Sequence, residues 1–539
     1  MKTRETSQMG LIILFLGLIL LMISWNLSYP IEIPEDLNAK TFTQFQILIW
    51  PGIILSIIGL FLAGYYTNRK SIRIICVSLF PIILYSYALF FYYLPTSDSG
   101  AVKAMFEIFH QTGINPAAEP YFHYPVFFSL SEMTGQVLGF DAEGVGVLLF
   151  TIFGILIALY LFIFLSKINK QNSYQIAFLG APLYFTALYS YLNYQWAPQT
   201  LALVFLVLLL FLFDQEKVQY KILTLFIFTT LVFTHLFIPA IFLLFLGFYS
   251  IKKKDFRNSF LLMTIIYISV LVYYTTFYFY TILDVFKQSF YGLGGEYLAD
   301  ISRSFMEPKD IISKIISIVN RIRIPLIWII LTTGFLLGLI KKKISFTAVI
   351  LLITGGFYLF AGLFYPILGL RALQILVIPL LLGIGFFIFK WKKTALTLVV
   401  ILLVLSVFGP LRETYDEYQF QLNEEEAACN FFINTMPRGE LSKISIGGIN
   451  QGYLTKKFHY LNMGKKDVEL QYKLPYNVEF LSVFNTSQNI RTNYYILYNS
   501  LLSKEIVSYG VSPSNIKQKL LTSNRIYCSG KTWVGVYDS

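Results

Sequence analysis

Apolar runs long enough to cross a bilayer recur along most of this chain, and nothing else constrains its fold as much. About twenty apolar residues span the hydrocarbon as a helix, because the backbone there must satisfy its own hydrogen bonds. On that rule about thirteen spans are expected, near 9–27, 45–66, 73–94, 144–166, 174–193, 198–213, 220–235, 237–251, 259–281, 323–340, 345–364, 370–389 and 394–411. The 539 residues are 56% hydrophobic and 13% charged, with mean hydropathy +0.63, more apolar surface than a soluble core can hide. The expected fold class is an α-helical polytopic membrane protein carrying a small α/β extracytoplasmic C-terminal domain.

Every second loop is basic: Lys2 and Arg4, "NRKSIR" at 68–73, Lys167 and Lys170, Lys217 and Lys221, "KKKDFR" at 252–257, "KKK" at 341–343 and "KWKK" at 390–393. The positive-inside rule places these in the cytoplasm, with the N terminus. Facing outward are "EIPED" at 32–36, the long loops 95–143 and 282–322, and everything after Leu411. The expected localisation is therefore the cell (plasma) membrane, multi-pass, with an external C terminus. The net charge of +12 would suggest nucleic acid in a soluble protein, but these clusters account for it as topology, so no nucleic-acid partner is expected. Basic residues precede the first run as in a signal peptide, yet no small-residue cleavage site follows, which reads as a retained anchor.

Two domains follow: 1–411 in the membrane and 412–539 outside. The second opens on a charged, helix-like stretch and continues as short alternating runs, "KISIGGI", "VEFLSVF", "NYYILYN" and "TWVGVYD", as a small α/β domain would. Cys429 and Cys528 would share its oxidising compartment, and either a disulfide or two buried thiols fits their sequence. The sequons at Asn26 and Asn485 are glycosylation candidates near the outer face.

Chemistry concentrates at outer span ends. Asp98 leaves a span and opens "SDSGAVKAMFEIFHQTG", where Ser97 or Ser99 can cap a helix, Ala101, Met105, Ile108 and Phe109 form an apolar stripe, and Gly113 ends it. The loop reads as two interfacial helices joined by the aromatic turn "EPYFHYP". The bland reading of Asp98 is a solvated carboxylate or N-cap. His235, in "FTHLFIPA", is either a hydrogen-bonded helix end or a site group. Arg371 stands on the side where cations are disfavoured, which suits a lipid phosphate, or snorkelling to headgroups. Substrate-lining candidates are His110, Glu119, Tyr121, His123 and Tyr124 from the first outer loop, and Gln195, Trp196 and Gln199 from a second turn, where an aromatic belt also explains Trp196.

With these residues in view, the chain resembles the C-type superfamily of multi-span glycosyltransferases, which includes oligosaccharyltransferases, protein mannosyltransferases and aminoarabinose transferases. "TSDSGAVKAMFEIFHQTGIN" resembles their first outer loop, "YFHYPVFFSLSEMTGQVLG" the helix after it, "THLFIP" a His-x-x-x-Pro turn and "RALQILVIP" an arginine opening a late span. "NRIYCSGKTWVGVYD" is similar to the closing strands of archaeal members with an external domain. The chain departs from many members in placing two spans before the one that leads to Asp98.

The resemblance implies a polyprenyl- or dolichyl-phosphate-linked sugar donor, a glycan, lipid or protein acceptor, and surrounding membrane lipids as partners. It implies Asp98 as general base, or as a carboxylate supporting a divalent metal, with Arg371 and His235 on the donor phosphate. These three are expected around one outward pocket. The rivals are a transporter or flippase of polyprenyl-linked glycans, which would place ionisable groups along a path through the bilayer, and a non-catalytic scaffold with an external binding domain.

Overall fold

The computed structural model describes residues 2–28, 48–86, 97–114, 120–168, 173–187, 195–273, 311–362 and 366–408, and four strand segments between 444 and 536. The described helices are α1 (Lys2–Ser28), α2 (Ile49–Tyr66), α3 (Lys70–Leu84), α4 (Ser97–Thr112), α5 (Pro125–Leu138), α6 (Ala142–Ile168), α7 (Ser173–Thr186), α8 (Pro198–Leu212), α9 (Val218–Val232) and α10 (Phe237–Lys252). They continue as α11 (257–273), α12 (Ile311–Ile340), α13 (Phe346–Ala361), α14 (Pro366–Leu380), α15 (Gly383–Lys390) and α16 (Lys392–Leu405).

Five of these stretches are long and apolar enough to cross a membrane: Arg4–Asn26, Ile49–Tyr66, Ala142–Ile168, Lys254–Tyr273 and Ile318–Ile340. The closely spaced runs after residue 198 form three separate helices, α8, α9 and α10, of 15, 15 and 16 residues. At 1.5 Å per residue each measures roughly 23 Å, short of a hydrocarbon core of about 30 Å.

Two boundaries differ from expectation. α12 starts at Ile311, so the expected outer loop 282–322 ends in about three helical turns, where "IISKIISIVNRIR" repeats apolar residues at helical spacing. The expected single span 370–389 is two helices. Pro379 has no N–H to give to the previous turn, and the junction tightens into i→i−3 bonds, Leu382 N to Pro379 O and Ile384 N to Leu381 O. Gly383 lies against the backbone of Leu331 and Gly334, where a Cβ would fall on main-chain atoms. α12 and α15 therefore touch backbone to backbone, as small residues allow between membrane helices. The same device joins α1 to α2: a Cβ on Gly59 would strike the backbone of Leu14.

Arg73, in the first turn of α3, is buried and donates to the carbonyls of Gly64 and Thr67. It satisfies the open C-terminal carbonyls of α2 and complements its dipole.

The chain divides into two compact units. One comprises 1–93, 124–134 and 143–415, and the other 94–123, 135–142 and 416–539. The second contains a four-stranded sheet of order β1-β2-β4-β3, from β1 (Ile444–Ile446), β2 (Tyr494–Tyr498), β3 (Asn524–Ser529) and β4 (Thr532–Val536). β1 and β2 are parallel, and β4 is antiparallel to both β2 and β3. Three of the four anticipated runs are strands, "VEFLSVF" lies outside the described residues, and "NRIYCS" supplies the fourth strand.

Candidate functional site

Three turns of the first unit converge. α5 opens on Pro125, whose fixed φ suits a first helical position. The next N–H, from Val126, donates to Phe233 O at 3.4 Å, in the turn that ends α9. Phe127 then packs on Trp196, ring centroids 5.9 Å apart, in the turn before α8. That turn is held by an extended Ala197, by Pro198 at the helix start, and by Gln195 N donating to Thr200 Oγ1 at 3.3 Å. The "YPVF", "QWAPQT" and "FTHLF" stretches thus form one neighbourhood in space.

His235 is half-buried within it. Its Nδ1 accepts the N–H of Phe237 at 3.1 Å, capping the start of α10. A neutral ring used in this way carries its proton on Nε2, which makes the far edge a donor. Tyr267, from α11, donates to Leu236 O at 3.1 Å and ties a further helix to the turn.

Gln195, Trp196, Gln199 and Thr200 are all buried. Trp196 is 1% exposed, so it is a packed core ring and not a lipid-facing belt residue, because Phe127 and the α8 turn enclose it. The two glutamines lie inside the protein and not at its surface. Tyr124 is half-buried.

The remaining candidates are distributed between the units. In the second, α4 ends at Gly113 with φ 63°, as its glycine predicts. Val102, Met105, Ile108 and Phe109 are buried along it. Asp98 lies in its first turn. His110 is exposed in its last turn. His123 closes a short 3-10 turn, Pro120–His123, and is buried, with Phe122 edge-on to Phe109 at 5.2 Å. Burial pushes the His123 pKa below the ordinary imidazole value. Arg371 lies on α14 in the first unit. The side chains of Asp98, Tyr121 and Arg371, the whole of Glu119 and Cys429, and the Cys528 thiol lie outside the described residues. The expected common pocket for Asp98, His235 and Arg371 therefore lies outside them too.

Sequence reasoning missed three buried polar groups in the first unit. Asn320 and Arg323, both on α12, are 1% and 2% exposed. Asn320 Nδ2 donates to Phe408 O at 2.7 Å and Arg323 Nη1 to Ser406 O at 3.5 Å, beyond the end of α16. Gln374, one turn after Arg371, is 1% exposed. The signal for Arg323 was present: "NRIR" puts cations at a span end assigned to the disfavoured side, as with Arg371.

Chemically, the neighbourhood offers a histidine N–H, buried amides and hydroxyls able to bind neutral hydroxyl-rich groups, and, elsewhere on α12, a buried guanidinium. Among the described residues no three His, Cys, Asp or Glu side chains converge as metal ligands. No protein-family model matches the chain, and no curated protein matches it significantly.

Proposed function

We propose that this chain is a membrane glycosyltransferase of the C-type kind, transferring a sugar from a polyprenyl- or dolichyl-phosphate donor to an acceptor at the outer face. The observation that carries the reading is the convergence of the Tyr124–Phe127, Gln195–Thr200 and Phe233–His235 turns. Two of these turns, at Tyr124–Phe127 and at His235, belong to stretches on which the resemblance rests, and the third carries the substrate-lining candidates Gln195, Trp196 and Gln199. The proposed orientation has support of the same kind. Loops and span ends assigned to the cytoplasmic side meet one another: Lys167 with Asp214, Lys70 over Tyr174, and Lys252 over Phe346. Outer ones do likewise, Val126 with Phe233 and Asn320 with Phe408.

In this reading an acceptor hydroxyl attacks C1 of the sugar and its proton passes to the Asp98 carboxylate. The C1–O bond to phosphate breaks, and the lipid phosphate leaves with the electron pair, its charge met by Arg371 and the His235 N–H. The thirteen spans and the external α/β domain belong to the same proposal. The test is transfer from a radiolabelled polyprenyl-phosphate sugar by purified protein. Asp98→Asn should lose at least about 100-fold in rate with donor binding retained. A near-normal rate in Asp98→Asn would remove the catalytic assignment. Translocation of a lipid-linked glycan without transfer would replace the enzyme by a flippase.

A further inference from the structure

The basic turns at 252–257 and 341–343 are each explained singly by charge topology. Their meeting is not. Tyr249, near the end of α10, packs on Phe346, at the start of α13, with ring centroids 5.4 Å apart. Lys252 Nζ lies 4.5 Å over the same Phe346 ring, and Phe256 is edge-on to Tyr249 at 5.1 Å. One aromatic cluster thus holds together Lys252, Lys253, Lys254, Arg257, Lys341, Lys342 and Lys343, every one exposed, with Asp255 the sole carboxylate in the two turns. Asp214, close enough to Tyr249 to act on its hydroxyl, is itself paired with Lys167.

The second turn bears an independent mark. Lys342 has φ 54°, and no other described residue except glycine has positive φ. It fills the left-handed position that ends α12, with Lys342 N bonded to Leu339 O at 2.8 Å and Lys343 N to Gly338 O at 2.9 Å. Glycine adopts that position without strain and is the usual occupant. Here a cation is kept where the backbone disfavours it.

We propose that these two turns form one site for the headgroups of anionic glycerophospholipids. Seven cations of which none is on a mobile tail, set against interfacial aromatic rings, match a sheet of phosphates at the membrane surface. The inference rests on the helices crossing a membrane and is independent of glycosyl transfer.

The test uses purified full-length protein in mixed micelles. Phosphatidylglycerol is titrated against phosphatidylcholine by native mass spectrometry, with inorganic phosphate as a third arm. Lys252→Gln/Lys253→Gln/Lys254→Gln/Arg257→Gln and Lys341→Gln/Lys342→Gln/Lys343→Gln should each weaken phosphatidylglycerol binding at least about tenfold. Arg69→Gln/Lys70→Gln, in a different basic turn, should not. Lys342→Gly preserves the helix end, so it should melt no lower than the parent while binding phosphatidylglycerol more weakly. Equal losses in the Arg69/Lys70 control, unchanged binding in Lys342→Gly, or full competition by inorganic phosphate at matched concentration would each overturn the site.

Discussion

Asn320 and Arg323 lie almost one turn apart on α12 and both reach carbonyls at the far end of α16. Removing such a donor leaves a buried acceptor without its bond. Asn320→Ala should therefore lower stability by about 1 kcal/mol, read as a lower melting temperature in detergent. His123 gives a pH signature of defined sign. Its folded-state pKa is depressed by burial, so the unfolded chain binds the proton more readily. Its contribution is complete above the ordinary imidazole pKa of about 6.5 and is lost as pH falls below it. The melting temperature should drop between pH 7.5 and 5, and His123→Phe should flatten that drop; an unchanged slope would assign the acid sensitivity to other groups. At this scale the sequence was only partly readable. His235 stood out because ionisable groups are rare in apolar runs. Arg323 did not, because a boundary drawn at residue 323 made it look like the edge of a loop. Trp196 fits both a lipid belt and a core equally well by composition, and only its neighbour Phe127 decides.

Helices α1 and α2 show what governs the elements. Gly10 and Gly17 on one, and Gly52 and Gly59 on the other, each recur at a seven-residue spacing and let the backbones meet. Gly59→Leu would drive a side chain into Leu14, and overpacking of this kind costs about 1–3 kcal/mol. Gly356, with nothing near its missing Cβ, should accept alanine without loss; thermal unfolding of the two variants side by side checks the contrast. Helix existence was legible wherever apolar runs were bounded by charge, and the end of α4 was legible from Gly113, at positive φ. The break between α14 and α15 was not, because Pro379 sits in an unbroken apolar run and the partner that the junction packs against, Gly334, is on another helix.

For the molecule as a whole, the alternation of basic loops predicts one side for 341–343 and the other for 412–539. Single cysteines introduced at each, in a background lacking Cys76, Cys429 and Cys528, should label from opposite faces of sealed vesicles; labelling from one face would reject the orientation. The pattern was readable because charge and hydropathy repeat over hundreds of residues, whereas the order of strands in the sheet leaves no local trace. That order has a consequence for biosynthesis. β4 lies between β2 and β3, so residues 532–536 form an inner strand of the sheet and not an edge. Until they have been made, among the described strands β2 has only the three-residue β1 beside it and β3 has no neighbour. A ribosome stalled, or a reading frame ended, at residue 531 would leave two strand edges open to other chains. Quality control would then meet a protein whose described helices have all been made and whose sheet is unfinished, for want of a segment of five residues.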